Sequence, residues 1–195
     1  KRLSIIVLDE TGSTNDEVKS RALKGGDWVV IAGKQTAGRG RFGRSFDSQS
    51  GGLYMSLSHR PALPPEQSLH LTALAALAIC DAVQKLCNIK VEIKWPNDLV
   101  IDGKKVCGIL FEMMSEADRV SNVILGIGIN YSQEPEDFPA ELKDRAISLK
   151  TASEKGAVPP CTTPGSMPEF SRLSVIRAVL KQLDIVVRMV INGRT

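Results

Sequence analysis

The stretch that decides the fold is "VEIKWPNDLVIDGKKVCGILFEMM", residues 91–114. Its apolar and β-branched runs are interrupted twice, first by Pro96-Asn97-Asp98 and then by Asp102-Gly103. Asp-Gly between two such runs is a strong signal for a β-hairpin, and Pro-Asn-Asp is typical of another turn. The stretch therefore predicts three short strands joined by tight turns, and strands joined in this way pair antiparallel.

The same kind of pattern continues on both sides of this stretch. Four more β-branched or apolar runs bounded by turn residues predict strands at residues 3–8, 27–33, 52–61 and 119–132. A capping signal and a Gly-Gly stop predict a helix within residues 11–26, and longer apolar or amphipathic segments predict helices within 64–88 and 170–192. Several hairpin-linked strands with few helices between them indicate an α+β fold with a largely antiparallel sheet.

Two segments have predicted boundaries of their own. The first helix is expected to have Thr14 as its N-cap, with Glu17 completing a capping box. Residues 151–169 are rich in Pro, Gly, Ser and Thr, and predict a flexible loop or linker before the terminal helix at 170–192. The 195 residues are expected to form a single domain, 1–195, with these parts inside it.

Composition excludes several classes of protein. The net charge of +3 is mildly basic, which argues against a dedicated nucleic-acid binder. No apolar run reaches the length of about 18 residues that a membrane span needs, and no signal peptide is recognisable. The four cysteines form no C-x-x-C pair, so a zinc site is not expected. Their sparse, unpatterned placement predicts a reducing, cytoplasmic location.

The glycine-rich stretch "AGRGRFGRSF", residues 37–46, allows several interpretations. It matches G-x-G-x-x-G, but no helical periodicity follows Gly43, and a Rossmann loop needs a helix there. An RNA-binding strip is disfavoured because the stretch is short and lies between two strands. A solvated loop with incidental arginines remains open. Glycines that let the backbone close over a ligand, with arginines that bind phosphate or carboxylate, form the functional hypothesis.

Three other motifs favour the functional hypothesis. "GSTN", residues 12–15, places hydroxyl and amide groups at a helix start, although a plain N-cap would explain part of it. "KWPND", residues 94–98, combines a lysine, an amide and a carboxylate at a strand end, although a Pro-Asn turn alone is credible. "GIGIN", residues 126–130, leaves room beside a buried strand for a flat ligand.

These motifs together resemble the catalytic domain of biotin–protein ligases. "STND", "QTAGRGRFGR", "KWPNDL", "KKVCGIL" and "GIGIN" follow one another in the order and approximate spacing of that family, over roughly residues 5–132. The resemblance implies a fold similar to class II aminoacyl-tRNA synthetases, with a mixed, mostly antiparallel sheet backed by helices. It also implies ATP-dependent activation of biotin to biotinyl-5′-AMP with Mg²⁺, followed by transfer to a lysine of the carrier domain of a biotin-dependent carboxylase.

The resemblance also assigns roles to individual residues. Those implied to contact biotin are Ser13, Thr14, Asn15, Gln35, Gly38, Arg39, Arg41, Lys105 and Gly108. Those implied to contact ATP or the adenylate are Arg39, Arg41, Arg44, Phe46, Asn97 and Asn130. The catalytic group comprises Lys94 as the electrostatic catalyst, together with Arg41 and Lys105. Asn97 and Asp98 are the candidate Mg²⁺ ligands.

The sequence departs from the family pattern in three ways. Phe46 stands where related enzymes commonly have tryptophan, which keeps a stacking face but loses area and the indole N–H. No N-terminal DNA-binding segment and no C-terminal barrel domain are expected, so a repressor role is not implied. Two rivals stay open, a lipoate–protein ligase and a biotin- or adenylate-binding domain without turnover. Dimerisation is not decided by the sequence.

Overall fold

The protein is described by a computed structural model, which covers residues 3–60, 70–116, 119–155 and 171–191. The strands in these residues are β1 (Leu3–Thr11), β2 (Asp27–Gln35), β3 (Gly52–His59), β4 (Glu92–Lys94), β5 (Asp98–Ile101), β6 (Lys104–Glu116) and β7 (Arg119–Asn130). The α-helices are α1 (Thr14–Ala22), α2 (His70–Cys87), α3 (Leu149–Lys155) and α4 (Arg172–Ile191). Single 3-10 turns lie at Arg41–Gly43 and Pro135–Asp137.

The strands form one seven-stranded sheet in the order β1-β2-β3-β7-β6-β5-β4. Only the β1–β2 pair is parallel, and the other five pairs are antiparallel. Residues 91–114 supply β4, β5 and β6, as predicted. Asp102 and Gly103 both have positive φ, 48° and 74°, as the tight turn between β5 and β6 requires. The predicted α+β class with a mostly antiparallel sheet is confirmed.

The two faces of the sheet are packed differently. One face carries the main core, where α2 and α4 cover buried side chains of β2, β3, β6 and β7 such as Val29, Met55 and Ile127. The other face carries a small cluster in which Val18 of α1 packs near Ile124 of β7. Because α1 covers only part of this second face, the rest of it is free to form a site. No helix in the described ranges is long and apolar enough to cross a membrane.

The predicted capping box at the start of α1 is wrong. Ser13, not Thr14, is the N-cap residue, and no side chain caps the helix. The Thr14 hydroxyl lies within hydrogen-bond distance of Gln35 and Ser56 instead, and Glu17 pairs with Arg21. Tertiary contacts have therefore taken the polar groups that a capping box would use.

The predicted loop at residues 151–169 begins inside a helix. Residues 151–155 belong to α3. At the start of this helix the backbone N–H of Thr151 donates to the Ser148 hydroxyl over 3.1 Å. Such a hydroxyl cap offsets the weak helix propensity of Thr and Ser. Residues 156–169 of this predicted loop lie outside the described residues, as do residues 64–69 of the second predicted helix and both 170 and 192 of the last.

Of the cysteines in the described part, Cys80 and Cys107 are buried, and Cys87 is partly buried against the core. Cys80, Cys87 and Cys107 are all free thiols. Burial raises the pKa of Cys107 to about 12 and that of Cys87 to about 12. This favours the interpretation that the cysteines of α2 pack the core, since the thiolate is the reactive form.

We expect Cys107 to resist alkylation in the folded protein. A thiol whose pKa rises from 9.0 to about 12 has roughly a thousandfold less thiolate at pH 8. Alkylation should therefore be slower, because the thiolate is the form that reacts. Iodoacetamide labelling followed by peptide mass spectrometry should show at least a hundredfold slower reaction than in urea-unfolded protein. Similar rates in the two states would contradict the buried, protonated thiol.

Candidate ligand-binding and catalytic site

A cavity of about 210 Å³ opens on the face of the sheet that carries α1. It lies between the start of α1, the glycine-rich loop (residues 37–46) and the β6–β7 pair. Twelve residues predicted from the sequence line it, namely Ser13, Thr14, Asn15, Gln35, Arg39, Arg41, Arg44, Phe46, Asn97, Asp98, Lys105 and Gly108. Motifs that are up to about a hundred positions apart in the chain therefore meet at one place.

The floor of the cavity consists of glycines on neighbouring strands. Gly108 of β6 pairs directly with Gly128 of β7, and Gly126 lies on the same side of β7. The Phe46 ring covers this floor, since a Cβ on Gly108 or Gly128 would lie 2.7 or 2.5 Å from ring carbons. The Lys105 ammonium lies 5.3 Å from the centre of the same ring. The floor can therefore accept a flat group directly on the backbone.

One wall of the cavity is a chain of neutral polar groups. The backbone N–H of Thr14 donates to Gln35 Oε1 over 2.8 Å, and Thr14 Oγ1 lies 3.0 Å from the same oxygen. Ser56 Oγ lies 2.7 Å from Thr14 Oγ1 and 2.5 Å from Asn15 Oδ1. Thr14, Asn15 and Ser56 are almost fully buried. We call Thr14, Asn15, Gln35 and Ser56 the polar wall.

The glycine-rich loop is joined to the polar wall through Ser48, and a backbone hydrogen bond closes the base of the loop. Gln35 Nε2 donates to Ser48 Oγ over 2.9 Å, and Ser48 donates in turn to the Phe46 carbonyl over 2.9 Å. The Phe46 N–H donates to the Gly38 carbonyl over 2.9 Å. A side chain at Gly38 would collide with Ser48 and the Phe46 carbonyl, so this close approach requires glycine.

Two arginines of the loop, Arg39 and Arg41, have different partners, and Arg44 also lines the cavity. Arg39 forms a two-fold ion pair with Asp16 of α1, at 2.7 and 2.5 Å, and this hydrogen bonding raises its pKa further. Arg41 donates to Asn97 Oδ1 over 3.2 Å and lies 4.8 Å over the Phe42 ring. Phe42 is 85% exposed and has a positive φ of 57°, a strained conformation for a residue other than glycine. The Arg41 side chain, which lines the cavity, is therefore presented next to a strained turn at Phe42.

The opposite end of the cavity combines Lys105 and Asp98. Lys105 Nζ lies 2.8 Å from Asp98 Oδ1, and both side chains are partly exposed to the cavity. Asn97 Nδ2 donates to the Ile109 carbonyl over 3.2 Å, which orients its Oδ1 toward Arg41. This end is suited to an anionic ligand, because cations outnumber the single cavity-lining carboxylate of the described residues.

Asn97 and Asp98, the predicted metal ligands, fit a limited role. No group of three or more His, Cys, Asp and Glu side chains within the described segments is placed to hold a metal ion by itself. One carboxylate and one amide oxygen at the cavity suit Mg²⁺, which proteins commonly bind through one or two carboxylates together with substrate phosphates.

Three predicted residues, Gly38, Lys94 and Asn130, do not line the cavity, and Gly38 instead lies at the closed base of the glycine-rich loop. Lys94 lies at the end of β4, the edge strand, where its side chain is exposed and does not line the cavity. Asn130 is buried, and its amide nitrogen donates to the carbonyls of Lys105 (3.1 Å) and Ile147 (3.3 Å). Its position supports the backbone that carries Lys105 rather than contact with a ligand.

Three residues of the site were missed by the sequence interpretation. Asp16 holds Arg39, Ser56 joins Thr14 to Asn15, and Glu112 of β6 binds Asn15 and Lys19. Glu112 had a usable signal, since it is the one charged residue in the run "VCGILFEMM" (residues 106–114) and lies four positions after Gly108, on the same side of the strand. Asp16 and Ser56 have no comparable signal.

Comparisons with known proteins agree with this arrangement. A model of the biotin/lipoate A/B protein ligase family matches residues 5–130. The bifunctional ligase/repressor BirA of Bacillus subtilis (strain 168) is 49% identical over 148 residues, which are 75% of this chain and 45% of that protein. The biotin–[acetyl-CoA-carboxylase] ligase of Paracoccus denitrificans is 36% identical over 163 residues, 82% of this chain and 62% of that protein. The chain thus spans about half the length of these curated relatives.

Solved structures are similar over nearly the whole chain. The biotin protein ligase of Aquifex aeolicus in complex with biotin and ATP has a TM-score of 0.75 and 32% identity, covering 97% of this chain and 72% of that one. The biotin protein ligase of Leishmania major in complex with biotinyl-5-AMP has a TM-score of 0.73 and 28% identity, covering 98% and 81%. These likenesses confirm the predicted fold, similar to class II aminoacyl-tRNA synthetases.

Proposed function

Because this chain belongs to the biotin/lipoate A/B protein ligase family, we propose that it is a biotin–protein ligase that joins biotin to a lysine of a carboxylase carrier domain. One observation carries the proposal, which is that a neutral polar wall and a cationic end face each other across a single cavity. Biotin has a neutral polar head and an anionic tail, and ATP adds further negative charge. The two ends of the cavity match these two kinds of group.

The proposed reaction has two steps, and in each step one bond forms and one bond breaks. In the first, a carboxylate oxygen of biotin bonds to the α-phosphorus of ATP, and the bond from that phosphorus to pyrophosphate breaks. In the second, a carrier lysine amine bonds to the acyl carbon, the bond to AMP breaks, and the amine loses a proton. No covalent enzyme intermediate is required, so the chain acts by orientation and by charge stabilisation.

The cationic end is assigned the work on the reacting atoms. Lys105 and Arg41 lie at the cavity with partners that position them, Asp98 and Asn97. We propose that Lys105 and Arg41 stabilise the negative charge that develops as the carboxylate attacks the phosphate. Asn97 and Asp98 are proposed to hold Mg²⁺ together with the phosphates of ATP, and a bound Mg²⁺ would supply further neutralisation of phosphate charge.

The glycine-rich loop is assigned the exclusion of water. Phe46, half-buried on the glycine floor, has a face that can stack on an aromatic base once it leaves that floor. The loop is joined to the polar wall through Ser48, so a ligand bound at the wall can influence the loop. A covered site would protect a hydrolysable acyl-adenylate from water.

We expect pyrophosphate release with biotin and not with lipoate. The protein is incubated with MgATP and either acid, and pyrophosphate is followed by a coupled assay. Adding a biotin carrier domain should then produce a mass increase on its acceptor lysine. Release with lipoate alone would overturn the choice of substrate. Biotin binding without any release would favour a binding domain over an enzyme.

A further inference from the structure

We infer that Glu112 fixes the direction of the hydrogen bonds in the polar wall, and thereby makes the wall select ligands that carry N–H donors. The inference rests on the proposed function for the identity of the ligand. Glu112 lies on β6 and does not line the cavity. Any influence it has on a ligand must therefore pass through other residues, which makes it a positioning residue.

Both oxygens of Glu112 are engaged, and each accepts. Its Oε2 accepts from Asn15 Nδ2 over 2.5 Å, and its Oε1 pairs with Lys19 Nζ at 2.7 Å. A carboxylate offers no donor, so the amide nitrogen of Asn15 has to face Glu112. The Asn15 oxygen is consequently turned toward Ser56, which lies 2.5 Å away.

The orientation of Asn15 then determines the hydroxyl hydrogens of the wall. Ser56 is fully buried and has one hydroxyl hydrogen, while two oxygens lie within reach, Asn15 Oδ1 and Thr14 Oγ1. Because an amide oxygen can only accept, Ser56 gives its hydrogen to Asn15. The Thr14 hydroxyl also has one hydrogen and two oxygens within reach, Ser56 Oγ at 2.7 Å and Gln35 Oε1 at 3.0 Å. Because Ser56 gives its own hydrogen to Asn15, the shorter contact takes the Thr14 hydrogen, and Thr14 donates to Ser56.

This direction leaves acceptors free at the cavity. Once Thr14 donates to Ser56, Thr14 Oγ1 and Gln35 Oε1 lie 3.0 Å apart with no hydrogen between them, and Gln35 Oε1 accepts only from the Thr14 N–H. Gln35 cannot turn its amide around without losing the bond from its Nε2 to Ser48. Both Thr14 and Gln35 line the cavity. The wall is thus poised to accept from N–H groups, which the cyclic urea of biotin has and the dithiolane ring of lipoate lacks.

Glu112→Gln tests the inference because the new side chain has the same shape and one donor. The ammonium of Lys19 requires an oxygen partner, so the new amide keeps its oxygen there and turns its nitrogen toward Asn15. Asn15 must then present its oxygen to that nitrogen and its own nitrogen to Ser56. Ser56 donates to Thr14, Thr14 donates to Gln35 Oε1, and the free acceptors are consumed.

The experiment measures the dissociation constant of biotin by calorimetry in the absence of ATP. Glu112→Gln should weaken biotin binding by about 10- to 100-fold, the effect of one or two lost hydrogen bonds. Lys19→Met alone should change it less than about threefold, since it leaves the Asn15 bond intact. The double variant Glu112→Gln/Lys19→Met should recover most of the affinity, because the amide can again turn its oxygen toward Asn15.

Restoration by a second substitution is a result that a purely structural role would not give. If Glu112 only supported the fold, the double variant would bind biotin no better than Glu112→Gln. Ser56→Ala gives an independent check, because it breaks the chain between Asn15 and Thr14. In that background Glu112→Gln should change biotin affinity less than about threefold.

The outcomes separate this inference from the proposed function. Wild-type affinity in Glu112→Gln, or no recovery in the double variant, would overturn the inference even if biotin-dependent pyrophosphate release is observed. Binding that follows the expected pattern, without pyrophosphate release by the wild type, would overturn the proposed function and leave the inference standing. If the wild type fails to bind biotin, both are wrong.

Discussion

Replacing Lys105 with methionine is expected to lower the rate of adenylate formation by about 10²- to 10³-fold. The ammonium group lies at the cavity, 2.8 Å from Asp98, and no second lysine lines the cavity among the described residues. Arg39 is paired with Asp16, and Arg41 is assigned a share of the same charge in addition to Lys105, so its presence does not replace the lost ammonium. Methionine keeps most of the unbranched side chain and removes the charge. Single-turnover pyrophosphate release at saturating biotin and ATP measures the effect.

The matched control is the neighbouring Lys104→Met. Lys104 precedes Lys105 on β6 and points to the other side of the strand, so it does not line the cavity. We expect its rate to stay within about threefold of the wild type. The backbone of Lys105 is held by Arg145, Ile147 and Asn130, so the fold should tolerate both changes. Equal rates in Lys105→Met and the wild type would exclude Lys105 from the chemistry.

The fold was largely predictable because its decisive signals are local. An Asp-Gly turn forces two strands to be antiparallel neighbours, whatever else the chain does. The start of α1 was predicted less well, since Thr14 can serve equally as a cap or as part of a tertiary network. Only the neighbouring strands β2 and β3, which bring Gln35 and Ser56 to it, decide between these roles. Contacts between residues so far apart in the sequence cannot be predicted from a local pattern.

The residues of the site that belong to a sequence motif were mostly predicted. Those whose role depends only on tertiary contacts were missed. Lys94 was chosen because it begins "KWPND", yet it lies on the edge strand, away from the cavity. Spacing in the motif does not indicate which lysine the sheet carries inward, and Lys105 lies two strands closer to the centre. Asp16 is an ordinary acidic residue in the first turn of a helix, until the loop brings Arg39 to it.

Gly126→Ala is expected to weaken biotin binding by at least about 100-fold and to lower the free energy of unfolding by about 1–3 kcal/mol. A Cβ at this position would overlap the amide of Asn15. Asn15 cannot move aside cheaply, because it is 4% exposed and bonded to both Glu112 and Ser56. Displacing it breaks the link from Glu112 through Ser56 to Thr14, which is where the ligand head is proposed to bind. Calorimetry with biotin and urea denaturation measure the two effects.

Gly128→Ala is the control that separates crowding from loss of the network. Its Cβ would meet the Phe46 ring, which is half-exposed on a loop and can swing away, so the unfolding free energy should fall by less than about 1 kcal/mol. Any change in ligand affinity should then appear with ATP more than with biotin, because Phe46 lies outside the polar wall. If Gly126→Ala and Gly128→Ala weaken biotin binding equally, the floor acts only as space, and the hydrogen-bonded wall does not carry the recognition of the head.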